Sequence, residues 1–297
     1  MLLGVQLALL VGGFGYAAYS DLCTREVTDR LWQVLGILGW VLGAAWLAPG
    51  GPLPLGLWLL VGGLTIQHMF PWDDLLGERF ERYADVIEGV AYALVILVVV
   101  VAAFHWGVGA SAVPLAVLAL LATVLFARGL FELGVLYGGA DAKALMIAGL
   151  LVPLFSTPLL PQSASVALLL TVLPFPVNLL VDAAVLSLVV PIGIAARNVA
   201  RGEFRFPRGF SGYMIPVREL PHRFVWLKDP LLAEEEDAAE TSEEDREIRV
   251  RAARDLEAKG VERVWVTPQI PFVVLLALGA IAALLAGNLL LDLFAAV

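Results

Sequence analysis

The chain has 297 residues, of which 60% are hydrophobic and only 16% charged, a balance that excludes an ordinary soluble domain and marks a membrane protein. The formal net charge of -9 leaves no basic surface for nucleic acid. Cys23 is the only cysteine, which excludes an internal disulfide and a multi-cysteine zinc site.

In chain order, apolar runs at 3–19, 31–47, 53–70, 90–104, 113–126, 142–155, 164–196 and 271–297 lie near the roughly 20 residues a helix needs to cross hydrocarbon. The first lacks a basic n-region and runs into Ser20 and Asp21 with no small-residue cleavage site. It reads as a retained span, not a secretory signal. The seventh run exceeds one ideal span and contains Pro174 and Pro176, so it reads as one kinked helix or two short ones. Counted as one, it makes the loops alternate so that all nineteen Lys and Arg residues fall on a single side. Arg25 and Arg30, Arg79 and Arg82, and Arg128 and Lys143 mark three of these loops, and the rest lie between Arg197 and Arg263. Positive residues beside short spans stay in the cytoplasm, which puts the N-terminus outside.

The one sizeable polar region, 197–267, reads as a small α+β insertion. Its β-branched and aromatic pieces predict strands at 213–217, 223–227 and 261–266. Ser242 and Asp245 offer a helix start, 246–259 a helix and Gly260 its stop. The acidic tract 234–240 reads as a solvated loop. The expected fold is therefore an all-α polytopic membrane protein of about eight transmembrane helices with a small cytoplasmic α+β insertion.

Ionisable groups at or within spans are costly and are functional candidates by default. Asp21 closes the first run, Asp141 opens the sixth, Asp182 lies in the seventh and Asp292 in the last. Singly, an Asp at a helix boundary is most often a cap. The arginine-derived topology, however, puts Asp21 and Asp141 at the same face, where two carboxyls can meet. Gly138, Gly139 and Ala140 precede Asp141 and offer room beside it for an extended substrate. Asp292 reads as structural, Lys143 as a topological anchor, and Arg25 as a charge marker or a substrate contact. Gly209, Phe210, Ser211 and Gly212 spell the GxSG of a serine protease, yet read as a turn in the polar insertion. His68, His105 and His222 are scattered without metal-ligand spacing.

The sequence Gly138-Gly139-Ala140-Asp141 resembles the Gly-x-hydrophobic-Asp signature of the archaeal preflagellin and prepilin peptidases (peptidase family A24), a branch of the GxGD intramembrane aspartyl proteases. Asp21-Leu22-Cys23-Thr24-Arg25-Glu26-Val27 is similar to that family's first motif. The resemblance implies catalytic Asp21 and Asp141, motif positions Gly138, Gly139, Ala140 and Arg25, no metal and no cofactor. It implies an endopeptidase of the cell membrane that removes the short leader of type IV pilin-like or archaellin precursors at the cytoplasmic face. Residues 1–196 would form a membrane-embedded catalytic helical domain with an extra hairpin at about 90–126, followed by the cytoplasmic insertion 197–268 and a C-terminal transmembrane helix 269–297. Partners would be precursor proteins and the lipid bilayer. The basic leader would meet acid, with Asp73, Asp74, Glu78, Glu81, Asp85 and Glu88 as candidates. The competing class is a proton-coupled transporter or a non-catalytic assembly factor that uses Asp182 with Asn178.

Overall fold

A computed structural model describes residues 2–70, 78–106, 112–136, 138–227 and 242–295. Asp73, Asp74 and the tract 234–240 lie outside the described residues, as do the side chains of Glu78, Glu81, Asp85 and His105. The protein is mostly helical, with one small sheet. It divides into two compact units: Met1–Asp21, Val27–Val185 and Phe272–Val297 form the first, and Leu22–Glu26 and Leu186–Pro271 the second.

The helices in chain order are α1 (Leu2–Thr24), α2 (Asp29–Leu47), α3 (Pro52–Gln67), α4 (Glu78–Trp106), α5 (Ala112–Glu132), α6 (Gly139–Leu151), α7 (Ala164–Leu170), α8 (Phe175–Ser187), α9 (Val189–Ala200), α10 (Ser242–Ala258), α11 (Phe272–Ala286) and α12 (Leu289–Ala295). Among the described residues, four stretches are long and apolar enough to cross a bilayer: Leu2–Thr24, Asp29–Gly50, Leu115–Glu132 and Phe175–Ala200. The bent pair α11 and α12 makes a fifth if it counts as one.

The seventh apolar run resolves into α7, α8 and α9. At seven residues, α7 rises only about 10 Å and cannot cross the roughly 30 Å of hydrocarbon alone. Residues 271–297, expected as one helix, bend by 45° between α11 and α12. Gly287 takes φ 85 there, a left-handed conformation open to glycine, and it ends α11.

The first unit is organised around α6, which packs on α2, α3, α5 and α11 and is buried at almost every position from Asp141 to Leu151. Close approach explains this burial. A Cβ at Gly36 would press on Ile147, and one at Gly39 on Leu150 and Leu151, so bare backbone on α2 admits the side chains of α6. One to two turns farther along α2, Trp58 fills the notch at Gly43, Trp40 fills that at Gly62 on α3, and the Trp58 indole donates to the Trp40 carbonyl at 2.9 Å. Both indoles thereby use tight α2–α3 contact for burial, and one also finds a polar partner.

In the second unit, β1 (Tyr213–Pro216), β2 (Val225–Leu227) and β3 (Arg263–Pro268) form an antiparallel sheet in the order β1-β3-β2. Ile215, Val217, Leu220, Val225, Leu227, Ala252, Ala253 and Val266 make its core. Helix α10 starts with three acids in its first turn, as its dipole favours, and Gly260 at φ 72 turns the chain into β3. Within it the buried Arg249 guanidinium donates to Asp245, which also accepts from Gln269 at 2.7 Å.

Candidate active site

Asp21 lies on α1 in the stripe Gln6, Leu10, Gly13, Phe14, Ala17, Asp21, which is the buried face of that helix. The spacing of three and four residues carries the packed side one turn past the apolar run. Phe14 meets Trp32 edge to face at 6.1 Å, and Leu35 fills the notch at Gly13, so α2 fixes the rotation of α1 and thus the direction of the acid. Asp21 is only 8% exposed.

Asp141 sits in the first turn of α6 and is 9% exposed. Its backbone N–H donates to the Gly138 carbonyl at 3.0 Å, and the Gly138 amide donates back to its carboxyl. The helix start and the acid thus hold each other, in the manner of a capping box. A Cβ at Gly138 would lie 3.0 Å from Asp141 Oδ2, whereas one at Gly139 would meet nothing within 4 Å. The two glycines therefore differ: Gly138 makes space for the carboxylate, and Gly139 borders open space beside it. Ala140 packs partly against the core.

The two carboxyls, carried by helices far apart in the chain, lie near enough for the charge of Asp21 to act on Asp141. Two buried acids that feel each other, one of them at a helix N-terminus, can exchange protons with a substrate. Arg25 is in the second unit, its guanidinium 4.9 Å from the centre of the Phe224 ring in a cation–π contact. It takes φ 62 just past α1, a left-handed position where a side chain is strained.

Two features lie beyond the sequence reading. Lys143, read as a lone anchor, pairs with Asp29 at 2.5 Å and so ties the first turns of α6 and α2 together. His68 bonds the Tyr92 hydroxyl at 2.5 Å, and Arg128 bridges Glu88 at 3.0 Å and Glu132 at 2.7 Å. Helices α4 and α5 are thereby joined to each other and to the end of α3. The four-residue spacings of Glu88 with Tyr92 and of Arg128 with Glu132 were the available signal.

Asp182 has a different setting. Its Oδ1 accepts the Leu289 amide at 2.7 Å, Asn178 accepts from Asn288 Nδ2 at 2.8 Å, and Asn288 caps Leu291 at 3.0 Å. All three side chains are buried, and together they tie α8 to the start of α12. Gly209–Gly212 form a turn with a 3-10 start at Arg208–Phe210. Among the described residues no group of three or more His, Cys, Asp or Glu side chains is arranged to hold a metal ion.

A family model described as Archaeal Peptidase A24 C-terminus Type II matches residues 205–289. The match covers most of the second unit and α11 but neither Asp21 nor Asp141. A preflagellin peptidase of Methanocaldococcus jannaschii is 27% identical over 175 residues, spanning 57% of this chain and 69% of that protein. No solved structure matches.

Proposed function

We propose, for a chain that belongs by these matches with the archaeal A24 peptidases, an aspartyl endopeptidase that removes the short leader of pilin-like or archaellin precursors. The observation that carries this reading is the convergence of two buried acids, Asp21 on α1 and Asp141 on α6, within reach of each other's charge. The precursor's leader stays at the cytoplasmic face and its hydrophobic segment enters the bilayer. Cleavage falls at their junction, with Gly139 bordering the space for the extended backbone.

The reaction uses one proton shared by the pair. We assign the base to Asp141 from its place at the α6 N-terminus, where it takes a proton from the attacking water. Asp21 gives its proton to the scissile carbonyl oxygen as the tetrahedral intermediate forms. Asp141 then passes its proton to the departing amine, and the Asp21 carboxylate recovers one from the collapsing diol. The pair titrates as a unit.

The test is cleavage of a panel of leader-bearing precursors in membranes by wild type, Asp21→Asn and Asp141→Asn. Either substitution abolishes processing while the protein stays folded. Normal cleavage by either variant rules out the two-acid mechanism. The alternative reading through Asp182 loses support from its hydrogen bonds, which account for a buried acid as the cap of a broken helix.

A further inference from the structure

The apolar stretch Phe175–Ala200 is 26 residues long, several more than the roughly 20 that span hydrocarbon. Its last turns therefore reach headgroup level, and the chain leaves them through a closely bonded turn. Gly202 at φ 67 ends α9, with Gly202 N–H donating to Val199 and Glu203 N–H to Asn198, the two bonds of a Schellman turn. The fully buried Asn198 side chain then donates to the carbonyls of Gly209 and Gly212 at 2.8 and 2.7 Å. The loop 201–212 is thus tied back onto the end of the helix that precedes it.

What this loop displays is the opposite of a packed turn. Phe206 is 82% exposed and Phe210 41% exposed, the two ring centres 6.4 Å apart, with Phe204 against Phe210 at 5.3 Å. Arg201, Arg205 and Arg208 are exposed among them, and among the described residues none of the three has an ion-pair partner. The one acid in the loop, Glu203, is engaged by Arg263. Val189, Ile192 and Val199 on α9 are also more than 60% exposed, so exposed apolar side chains continue from the helix into the loop.

We propose that the loop 201–212 is an anchor for anionic lipid, with Phe206 and Phe210 entering the headgroup and acyl boundary while Arg201, Arg205 and Arg208 pair with lipid phosphates. Two things fit this occupant. Rings with one wet side and one apolar side settle at the bilayer interface, and a cluster of exposed arginines beside a span is complementary to a negative leaflet. Prior fixing of the loop by Asn198 and the turn at Gly202 reduces the ordering cost of docking. The inference stands on the membrane character of the chain alone and is independent of the peptidase reading.

The test uses the full chain in nanodiscs of phosphatidylcholine alone or with phosphatidylglycerol. In a Cys23→Ser background, a nitroxide is placed at Phe206→Cys, with Ser211→Cys as a second loop site and Glu243→Cys on α10 as a water-exposed reference. Collision with oxygen, which concentrates in lipid, is compared with collision with a water-soluble nickel chelate. Both loop labels should favour oxygen in the anionic discs, and the reference should favour the chelate in both. Each arginine contributes about a fivefold gain in docked population, the equivalent of roughly 1 kcal/mol, so Arg205→Gln with Arg208→Gln should reduce docking about 25-fold. Loop labels as water-exposed as the reference in both discs overturn the proposal. So does immersion that is equal with and without phosphatidylglycerol.

Discussion

Gly138→Ala isolates the geometry of the acid from the stability of the fold. The backbone at Gly138 has φ -98 and ψ 128, an extended conformation that alanine adopts freely, so the melting temperature should barely move. The new Cβ, however, would lie 3.0 Å from Asp141 Oδ2, where ordinary contact begins at 3.4 Å, and the carboxyl must shift by the difference of 0.4 Å. If a displacement near 1 Å costs on the order of 100-fold, this one costs about sixfold, equivalent to about 1.1 kcal/mol of barrier. It should appear in kcat, with KM little changed, when precursor cleavage is followed under initial-rate conditions. Gly139→Ala is the control, because its Cβ meets nothing within 4 Å, and it should keep near-normal kcat. Equal rates for Gly138→Ala and wild type, or equal losses for the two alanines, would refute the claim that space at 138 sets the position of Asp141.

Lys143→Met and Asp29→Asn should each cost no more than about 1 kcal/mol, because the pair is partly exposed. The double variant should cost little more than either alone in a thermal-melt cycle. Asp182→Ala leaves the partly buried Leu289 amide without its acceptor and should destabilise by about 1–3 kcal/mol. Asp182→Asn retains an oxygen there and should keep both stability and cleavage. Loss of function in a stable Asp182→Asn would instead favour a proton path. Glu203 has its carboxyl held below the usual range, chiefly by hydrogen bonding to Arg263. Its contribution is present above the ordinary glutamate pKa and is lost as pH falls through the lower folded value. Wild type should thus resist proteolysis of the 201–227 segment better than Glu203→Gln near neutrality, with the advantage vanishing in acid.

Local chemistry was the legible part of this sequence. The strands at Tyr213–Pro216, Val225–Leu227 and Arg263–Pro268 and the helix Ser242–Ala258 fall close to where β-branched runs, an N-cap serine and a stop glycine put them. Their order in the sheet, with the last strand in the middle, is a long-range choice that no local pattern encodes. The spacing from Gln6 to Asp21 could have shown that the acid shares the packed face of α1 rather than merely ending it. The bend at Gly287 was harder to see because both halves are apolar, and hydropathy is blind to helix direction.

The polar residues divide by what answers them. Asp182 with Asn178 looks in sequence like a hydrophilic path through a span, yet the two join Asn288 in bonds that reach one another and the amides at a helix start. Breaking a helix inside apolar surroundings creates unsatisfied N–H groups, and buried acids and amides elsewhere in the chain are the means of satisfying them. The same reasoning makes Asp141 unusual. Its helix start needs a cap too, and Gly138 and Asp141 supply it reciprocally, but a structural cap gains nothing from a second buried acid on another helix. Bringing Asp21 within range of Asp141 adds repulsion where capping needs none. A proton shared between the two would relieve that repulsion, and this is the arrangement the proposed two-acid chemistry requires.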